Sequence, residues 1–338
     1  MRIDSKSIFI MYFMGFLLLV LVVLDLRLGS VRITLGEMLG QLLGRGVLSD
    51  QQLVILTKFR LPRLATALLA GAALPACGLQ MQTLFRNPLA GPYVLGISSG
   101  ASFGAALVVL GTGATGIAAT WSLALAAWIG AGTVMLLLLF VSFRIKDVMT
   151  ILILGIMFSS GLAAVISIMQ YFSQASALKS FVIWSMGSLG NVTAAQLGIM
   201  TWAITPFLLI SLGYSKILNG LLLGEEYAAS MGIRIRRTRI IILATTSILA
   251  GTITAFCGPI GFIGIAVPHM ARFLFRRSDH MILMPATMLT GMVVMVVSDL
   301  VSQLPGTERI LPINAVTSLI GIPVVIWLVI MNRKAQAL

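Results

Sequence analysis

The chain has 338 residues, 59% of them hydrophobic and only 10% charged, with a mean hydropathy of +1.05. That composition excludes the soluble globular classes and predicts an all-α, polytopic membrane protein. The formal net charge of +13 would point to nucleic acid in a soluble protein, but here the cations lie in connecting segments, where they encode membrane orientation, and no nucleic-acid partner is expected.

The N-terminus runs Met1-Arg2-Ile3-Asp4-Ser5-Lys6 and then carries no charge through 8–24. That run is longer than a signal-peptide core and no small-x-small cleavage site follows, so an uncleaved first span is expected. Ten apolar segments of roughly 17 to 26 residues are predicted as transmembrane helices. They lie at 8–24, 62–84, 92–111, 117–142, 148–172, 194–213, 240–257, 259–275, 281–303 and 312–332. Only Gly258-Pro259 separates the seventh from the eighth. An even count puts both termini on one side, and the cations choose it: with the termini inside, 15 of the 23 Lys and Arg are internal. Six of the other eight fall between Arg27 and Arg63. The chain is therefore read as one transmembrane domain, 1–338, with cytoplasmic termini, a periplasmic loop at 25–61 and a cytoplasmic loop at 214–239.

Small residues predict how the spans pack. Gly96, Gly100 and Gly104 fall four apart on one helical face, where another backbone can approach closely, and 65–78 is similarly rich in alanine and glycine. Gly258-Pro259-Ile260-Gly261-Phe262-Ile263-Gly264 and Pro268 predict a broken or kinked helix. The stretches 87–143, 148–178 and 240–271 contain no Asp, Glu, Lys or Arg, and Asp299 is the only acid well inside a predicted span. An ion-driven carrier usually needs ionisable groups near the midplane. Nor does the chain contain a phosphate-cradling GxxxxGK[ST] sequence, so its energy is expected from elsewhere. The charged exception is 224–232, read as a short helix with Glu225 and Glu226 at its N-terminus, a stop at Gly232, and Arg234, Arg236, Arg237 and Arg239 behind it. It is either a transmission element pushed by a soluble ATP-hydrolysing partner or an ordinary interfacial helix with a basic flank.

Several ordered motifs carry a family resemblance over nearly the whole chain. They are Arg60-Leu61-Pro62-Arg63, Gly71-Ala72-Ala73-Leu74, Gln80-Met81-Gln82, Asn87-Pro88-Leu89-Ala90, and Leu95-Gly96-Ile97-Ser98-Ser99-Gly100-Ala101. Trp184-Ser185-Met186-Gly187-Ser188-Leu189, the 224–232 helix, the 258–264 break with Val267-Pro268-His269 and Arg272, and Leu311-Pro312 leading to Gly321 continue the series. Together they resemble FecCD-type ABC importer permeases, the membrane subunits that import ferric siderophores, haem and cobalamin.

The resemblance implies a type II ABC importer permease fold with ten helices per subunit, in the bacterial inner membrane. It also implies a homodimer or a pair with a paralogue, with the pathway at the dimer interface. Two cytoplasmic ATPase subunits holding ATP and Mg, and a periplasmic or lipid-anchored binding protein, complete the expected assembly. The chain itself would be no enzyme and would bind no cofactor. Gly224, Glu225, Glu226, Ser230, Met231, Gly232 and Arg234 are the implied ATPase-coupling residues. Arg60, Arg63 and Arg309 match outward arginines that meet carboxylates of the binding protein, a role guanidinium suits. The competing role for Arg60 and Arg63 is to anchor the second helix at the headgroups, with Pro62 in its first turn. Asn87 and Leu89 align with a cytoplasmic gate. A second gate falls within 145–150, where Lys146-Asp147 departs from the family pattern.

His269 and His280, eleven apart, would be satisfied structural histidines rather than ligands, the nineteen methionines core filling, and Cys77 and Cys257 buried small hydrophobes. No metal site is expected. Ser159, Ser160, Ser167 and Gln170 either line the passage or bond to neighbouring helices. The expected cargo is an iron chelate, with cobalamin the alternative within the family. Outside it the rivals are an ion-driven secondary transporter and, more remotely, a signalling or scaffolding subunit.

Overall fold

The computed structural model describes residues 5–29, 31, 33–44, 48–112, 117–145, 147–303 and 310–336. Arg309 and Lys146 lie outside the described residues. Among those described, the structure is helical and contains no strand. Helix α1 (Ser5–Arg27) is followed by short helices α2 (Leu35–Leu42) and α3 (Asp50–Val54), then by a π-helical turn (Ile55–Arg60) that runs straight into α4 (Leu61–Leu84). A 3-10 turn (Pro92–Leu95) precedes α5 (Ile97–Thr112), and α6 (Ile117–Arg144), α7 (Val148–Phe172), α8 (Ala175–Ser185) and α9 (Ala194–Gly213) follow. Two short helices, α10 (Ser215–Leu222) and α11 (Glu225–Ser230), lead to α12 (Ile235–Cys257), α13 (Ile263–Phe275), α14 (His280–Ser302) and α15 (Ile313–Gln336).

Every predicted apolar segment contains a helix. Seven of these helices are long and apolar enough to cross a membrane; the other segments coincide with the shorter apolar stretches Ile97–Thr112, Ile263–Phe275 and Ile313–Trp327. The connecting regions differ more from expectation. The predicted loop 25–61 is largely helical, and its second half extends α4 into one continuous helix, Asp50–Leu84. A capping box starts it: Gln52 N–H donates to Ser49 Oγ at 3.3 Å, and Ser49 N–H donates to Gln52 Oε1 at 3.0 Å. Pro62 would break the run, because its ring collides with the carbonyl four residues back. The π turn before it relieves that clash by shifting bonds such as Leu61 N–H to the carbonyl of Leu56. Helix α8 was not expected, and α12 begins five residues before the predicted 240. Arginines are good helix formers whose stems lie along apolar surface, so the basic flank continues the helix instead of ending it.

Helix α4 is the centre of the bundle. Its apolar window is 83% buried, against 72% for α12, 67% for α14, 17% for α7 and 11% for α1. Without a hydrophobic drive between helices in lipid, close backbone approach has to supply the packing. A Cβ on Gly78 would lie 1.6 Å from the Gly264 carbonyl oxygen on α13, and one on Gly71 would lie 2.6 Å from that of Gly291 on α14. The expected glycine stripe is only partly one face. Gly100 and Gly104 meet α6 at the carbonyls of Gly130 and Ala126, at 2.5 and 2.0 Å from an added Cβ. Gly96 instead precedes α5 with φ of 77°, capping the 3-10 turn, and faces Ser159 and Gly155 of α7. The stripe breaks there because a left-handed residue cannot continue a right-handed helix.

The expected break between α12 and α13 is present, at 258–262. Phe262 has φ of 63° and Gly258 of 74°. Its amides are satisfied from neighbouring elements: Ile260 N–H donates to Tyr93 Oη at 3.2 Å, and Gly261 N–H donates to Asn314 Oδ1 at 2.8 Å. The Cys257 carbonyl accepts from Ser188 N–H at 2.8 Å. Irregular backbone at this depth persists because protein groups, not lipid, surround it.

Candidate functional site

Two polar regions occupy opposite ends of the bundle. At the arginine-rich end, α10 and α11 form a shelf beneath α4, α12 and α14. Gly224, with φ of 120°, opens α11 and Gly232, with φ of 84°, closes it, so the two glycines bracket the helix as their sequence positions implied. Ala228 is the buried residue of α11, whereas Glu226, Tyr227, Ala229, Ser230, Met231, Gly232, Arg234, Arg236 and Arg237 are exposed. Leu222 and Leu223 join them, making a contiguous apolar and charged surface of the kind that a protein partner covers.

Glu225 differs from Glu226. Both its carboxylate oxygens accept from Nη2 of the buried Arg239, at 2.9 and 3.1 Å, which ties α11 to the first turns of α12. Arg86, in the left-handed region at φ of 46°, lies against Gly224, where an added Cβ would meet its Nη2 at 2.8 Å. Three clefts surround the shelf. One of about 550 Å³ lies between Arg86, Asp147, Met149 and 223–227. A second, about 650 Å³, lies beside Phe143, Glu226 and Arg236, and a third, about 790 Å³, between Lys216, Asn219, Met231 and Met281.

The turn after α4 is tight, as Asn87-Pro88 implied. Asn87 Oδ1 accepts from Leu89 N–H at 2.9 Å, and the Asn87 carbonyl accepts from Ala90 N–H at 3.0 Å. Leu89 points outward, and His269 on α13 holds the turn from behind through the Pro88 carbonyl at 2.7 Å. Across the first cleft, Asp147 caps α7, accepting from Thr150 Oγ1 at 2.5 Å and Thr150 N–H at 2.9 Å. Those donors hold its carboxyl below the usual carboxylate range.

At the opposite end the arginines are not free. Arg60 is only 8% exposed and donates to the carbonyls of Leu26 at 2.6 Å, Arg27 at 3.3 Å and Val31. Arg63 grips Asp299 on α14: Nε lies 2.9 and 3.0 Å from the two carboxylate oxygens, and Nη2 lies 2.8 Å from Oδ1 and 3.0 Å from Ser302 Oγ. The sequence did not foresee these internal partners of Arg60 and Arg63. Both side chains are engaged inside the subunit, Arg60 closing the end of α1 and Arg63 joining α4 to α14. Asp25 of α1 enters the same network, since Gln303 Nε2 donates to Asp25 Oδ1 at 3.0 Å and to Asp299 Oδ2 at 3.1 Å. Sequence reasoning missed this cluster, although an acid, an arginine and a second acid at the ends of three apolar segments were its visible sign.

On α7, Ser159, Ser160 and Ser167 each donate to the carbonyl four residues back. Ser160 and Ser167 lie on the exposed face of that helix.

The model of the FecCD transport family matches residues 17–331. The vitamin B12 import system permease protein BtuC of Klebsiella pneumoniae is 36% identical over 318 residues, covering 94% of this chain and 92% of that protein. The hemin transport system permease protein HmuU of Yersinia pestis is 32% identical over 326 residues, covering 96% and 97%. Among solved structures, a metal-chelate type ABC transporter in an inward-facing conformation superposes with a TM-score of 0.85 at 28% identity, over 95% of this chain and 99% of that one.

Proposed function

From the premise that this chain belongs to the FecCD transport family of ABC importer permeases, we propose that it moves a bulky metal chelate inward by alternating access, driven by ATP hydrolysed on a separate subunit. The chain is a multi-span membrane permease with a type II importer fold and is not itself catalytic. In the proposed assembly two copies, or this chain and a paralogue, enclose the pathway, and two ATPase subunits sit beneath the shelf of α10 and α11. A binding protein delivers cargo at the opposite end. Both termini and 214–239 then face the cytoplasm, as the cation distribution favours.

The observation that carries this reading is the shelf itself. It is exposed, apolar and charged, and the Glu225–Arg239 pair fastens it to α12, so a force applied to it reaches that helix. Glu226, Ser230, Met231 and Arg234 are the proposed contacts, while Gly224 and Gly232 set the helix ends and Glu225 holds it in place. Asn87 and Leu89 form the proposed inner gate, with 145–150 opposite. Docking of the binding protein through Arg60 and Arg63 requires them to exchange partners, so the rim they shape, together with Arg309, is the proposed docking surface.

The proposed cargo is an iron chelate. Cobalamin is the second reading, favoured by the 36% identity to a vitamin B12 permease. The test is uptake in vesicles reconstituted with the ATPase and binding protein, with haemin and cobalamin supplied separately. Uptake of one that stops when the ATPase is made hydrolysis-dead is the expected result. Uptake that survives the dead ATPase while an ion gradient stands would overturn the mechanism.

A further inference from the structure

We infer that His280 is a positioning residue that links the ATPase-facing shelf to the gate turn through a relay of hydrogen bonds. The inference rests on the reading of the shelf and of Leu89 given under the proposed function. His280 is 1% exposed, at the first position of α14. What it touches belongs to two other helices. Asn219 of α10 accepts through Oδ1 from His280 N–H at 2.7 Å and stands 2.9 Å from His280 Nδ1. On the far side of the ring, Nε2 lies 2.7 Å from Thr83 Oγ1 of α4.

The proton positions follow from these partners. A backbone N–H can only donate, so the Asn219 oxygen, not its nitrogen, faces His280. Its nitrogen turns instead to Asp279, donating to Oδ1 at 2.5 Å. Nδ1 therefore faces an acceptor and carries the proton, which leaves Nε2 of the neutral ring to accept from the Thr83 hydroxyl, whose single proton it shares with the Leu79 carbonyl 2.9 Å from the same oxygen. The ring thus bridges α10 and α4 in one tautomer, with both nitrogens used.

The next residue back on α4 continues the path. Gln82 Oε1 accepts from Arg272 Nη1 at 2.7 Å, and that nitrogen lies 3.3 Å from Nδ1 of His269. His269 Nε2 then donates to the Pro88 carbonyl at 2.7 Å, within the turn that presents Leu89. From Asn219 to Pro88 the sequence of hydrogen bonds is interrupted only by the peptide between Gln82 and Thr83. A shift of α10 under the ATPase would thus move the last turn of α4 and the gate turn together, because lone displacement of either would leave buried polar groups unmatched.

The test uses the permease assembled with its ATPase in vesicles, with Leu89→Cys as reporter. Cys77 and Cys257 are buried and give no background to an impermeant maleimide. In the parent, the labelling rate at position 89 should differ about fivefold or more between the nucleotide-free and ATP-vanadate states. Thr83→Val, which removes one hydroxyl and keeps the shape, should bring that ratio within about twofold of unity while ATP hydrolysis continues, and Thr83→Ser should restore it. Asn219→Leu should behave as Thr83→Val does. Labelling in Thr83→Val that follows nucleotide as in the parent would overturn the inference, as would loss of the ATPase from that variant, which would make the contact merely structural. A parent with no nucleotide dependence at position 89 would instead contradict the gate reading, and the inference would fall with it.

Discussion

Arg63 and Asp299 show how a single residue's role depends on its partner. A carboxylate 1% exposed is tolerated within a bundle only when a cation or several donors answer it, and here the bidentate guanidinium does so. Arg63→Met should lower subunit stability by about 3 kcal/mol or more, read as thermal unfolding in detergent, because it strands the buried charge. Arg63→Met combined with Asp299→Leu should recover most of that loss, since apolar replacement of both partners removes the burial cost as well. An unchanged melting temperature in Arg63→Met would show that the pair contributes nothing to the fold. The sequence displayed both charges but not their meeting, because 236 positions separate them and hydropathy says only that each ends an apolar run. The same blindness hid the internal partners of Arg60. Its three acceptors are backbone carbonyls, which no side-chain pattern announces.

At the scale of elements, the apolar spans were legible because length and hydropathy directly encode what the bilayer demands. The bracket at Gly224 and Gly232 was legible too, since glycines at left-handed or otherwise positive φ are where a helix starts or stops. The connecting helices were not. Helices α8 and α10 are short, and their apolar positions serve contacts with other elements, so local periodicity gives them no length advantage over a loop. Glycine packing was half legible: spacing identified Gly100 and Gly104, but the turn that takes Gly96 out of the stripe depends on the 3-10 segment before it. Gly78→Ala should destabilise the subunit by at least about 1–3 kcal/mol, because its methyl would strike a backbone carbonyl that cannot rotate aside. Gly132→Ala, with nothing within 4 Å of the added carbon, is the control. Equal melting temperatures for the two variants would refute the close α4–α13 approach.

For the whole molecule, the unequal burial of the helices assigns the surfaces. α1 offers Phe9, Tyr12, Phe13, Phe16 and Leu19 outward, a mainly apolar face as on a lipid-facing helix, whereas the exposed face of α7 carries Ser160 and Ser167. A cysteine at Ser160 should react with a water-soluble thiol reagent through the pathway, and one at Leu19 should not. Reaction at Leu19 alone would exchange the two assignments. The Glu225–Arg239 pair then ties the shelf to α12, so in the proposed assembly work delivered there can reach the pathway between subunits.

The most direct test of that account is site-specific cross-linking in the assembled transporter. Cysteines are placed at Glu226, exposed on the shelf, and at Lys179, exposed on α8. The account predicts that position 226 cross-links to the ATPase subunit and position 179 does not. Cross-linking from position 179 alone, or labelling of position 226 only from the side opposite the ATPase, would contradict it.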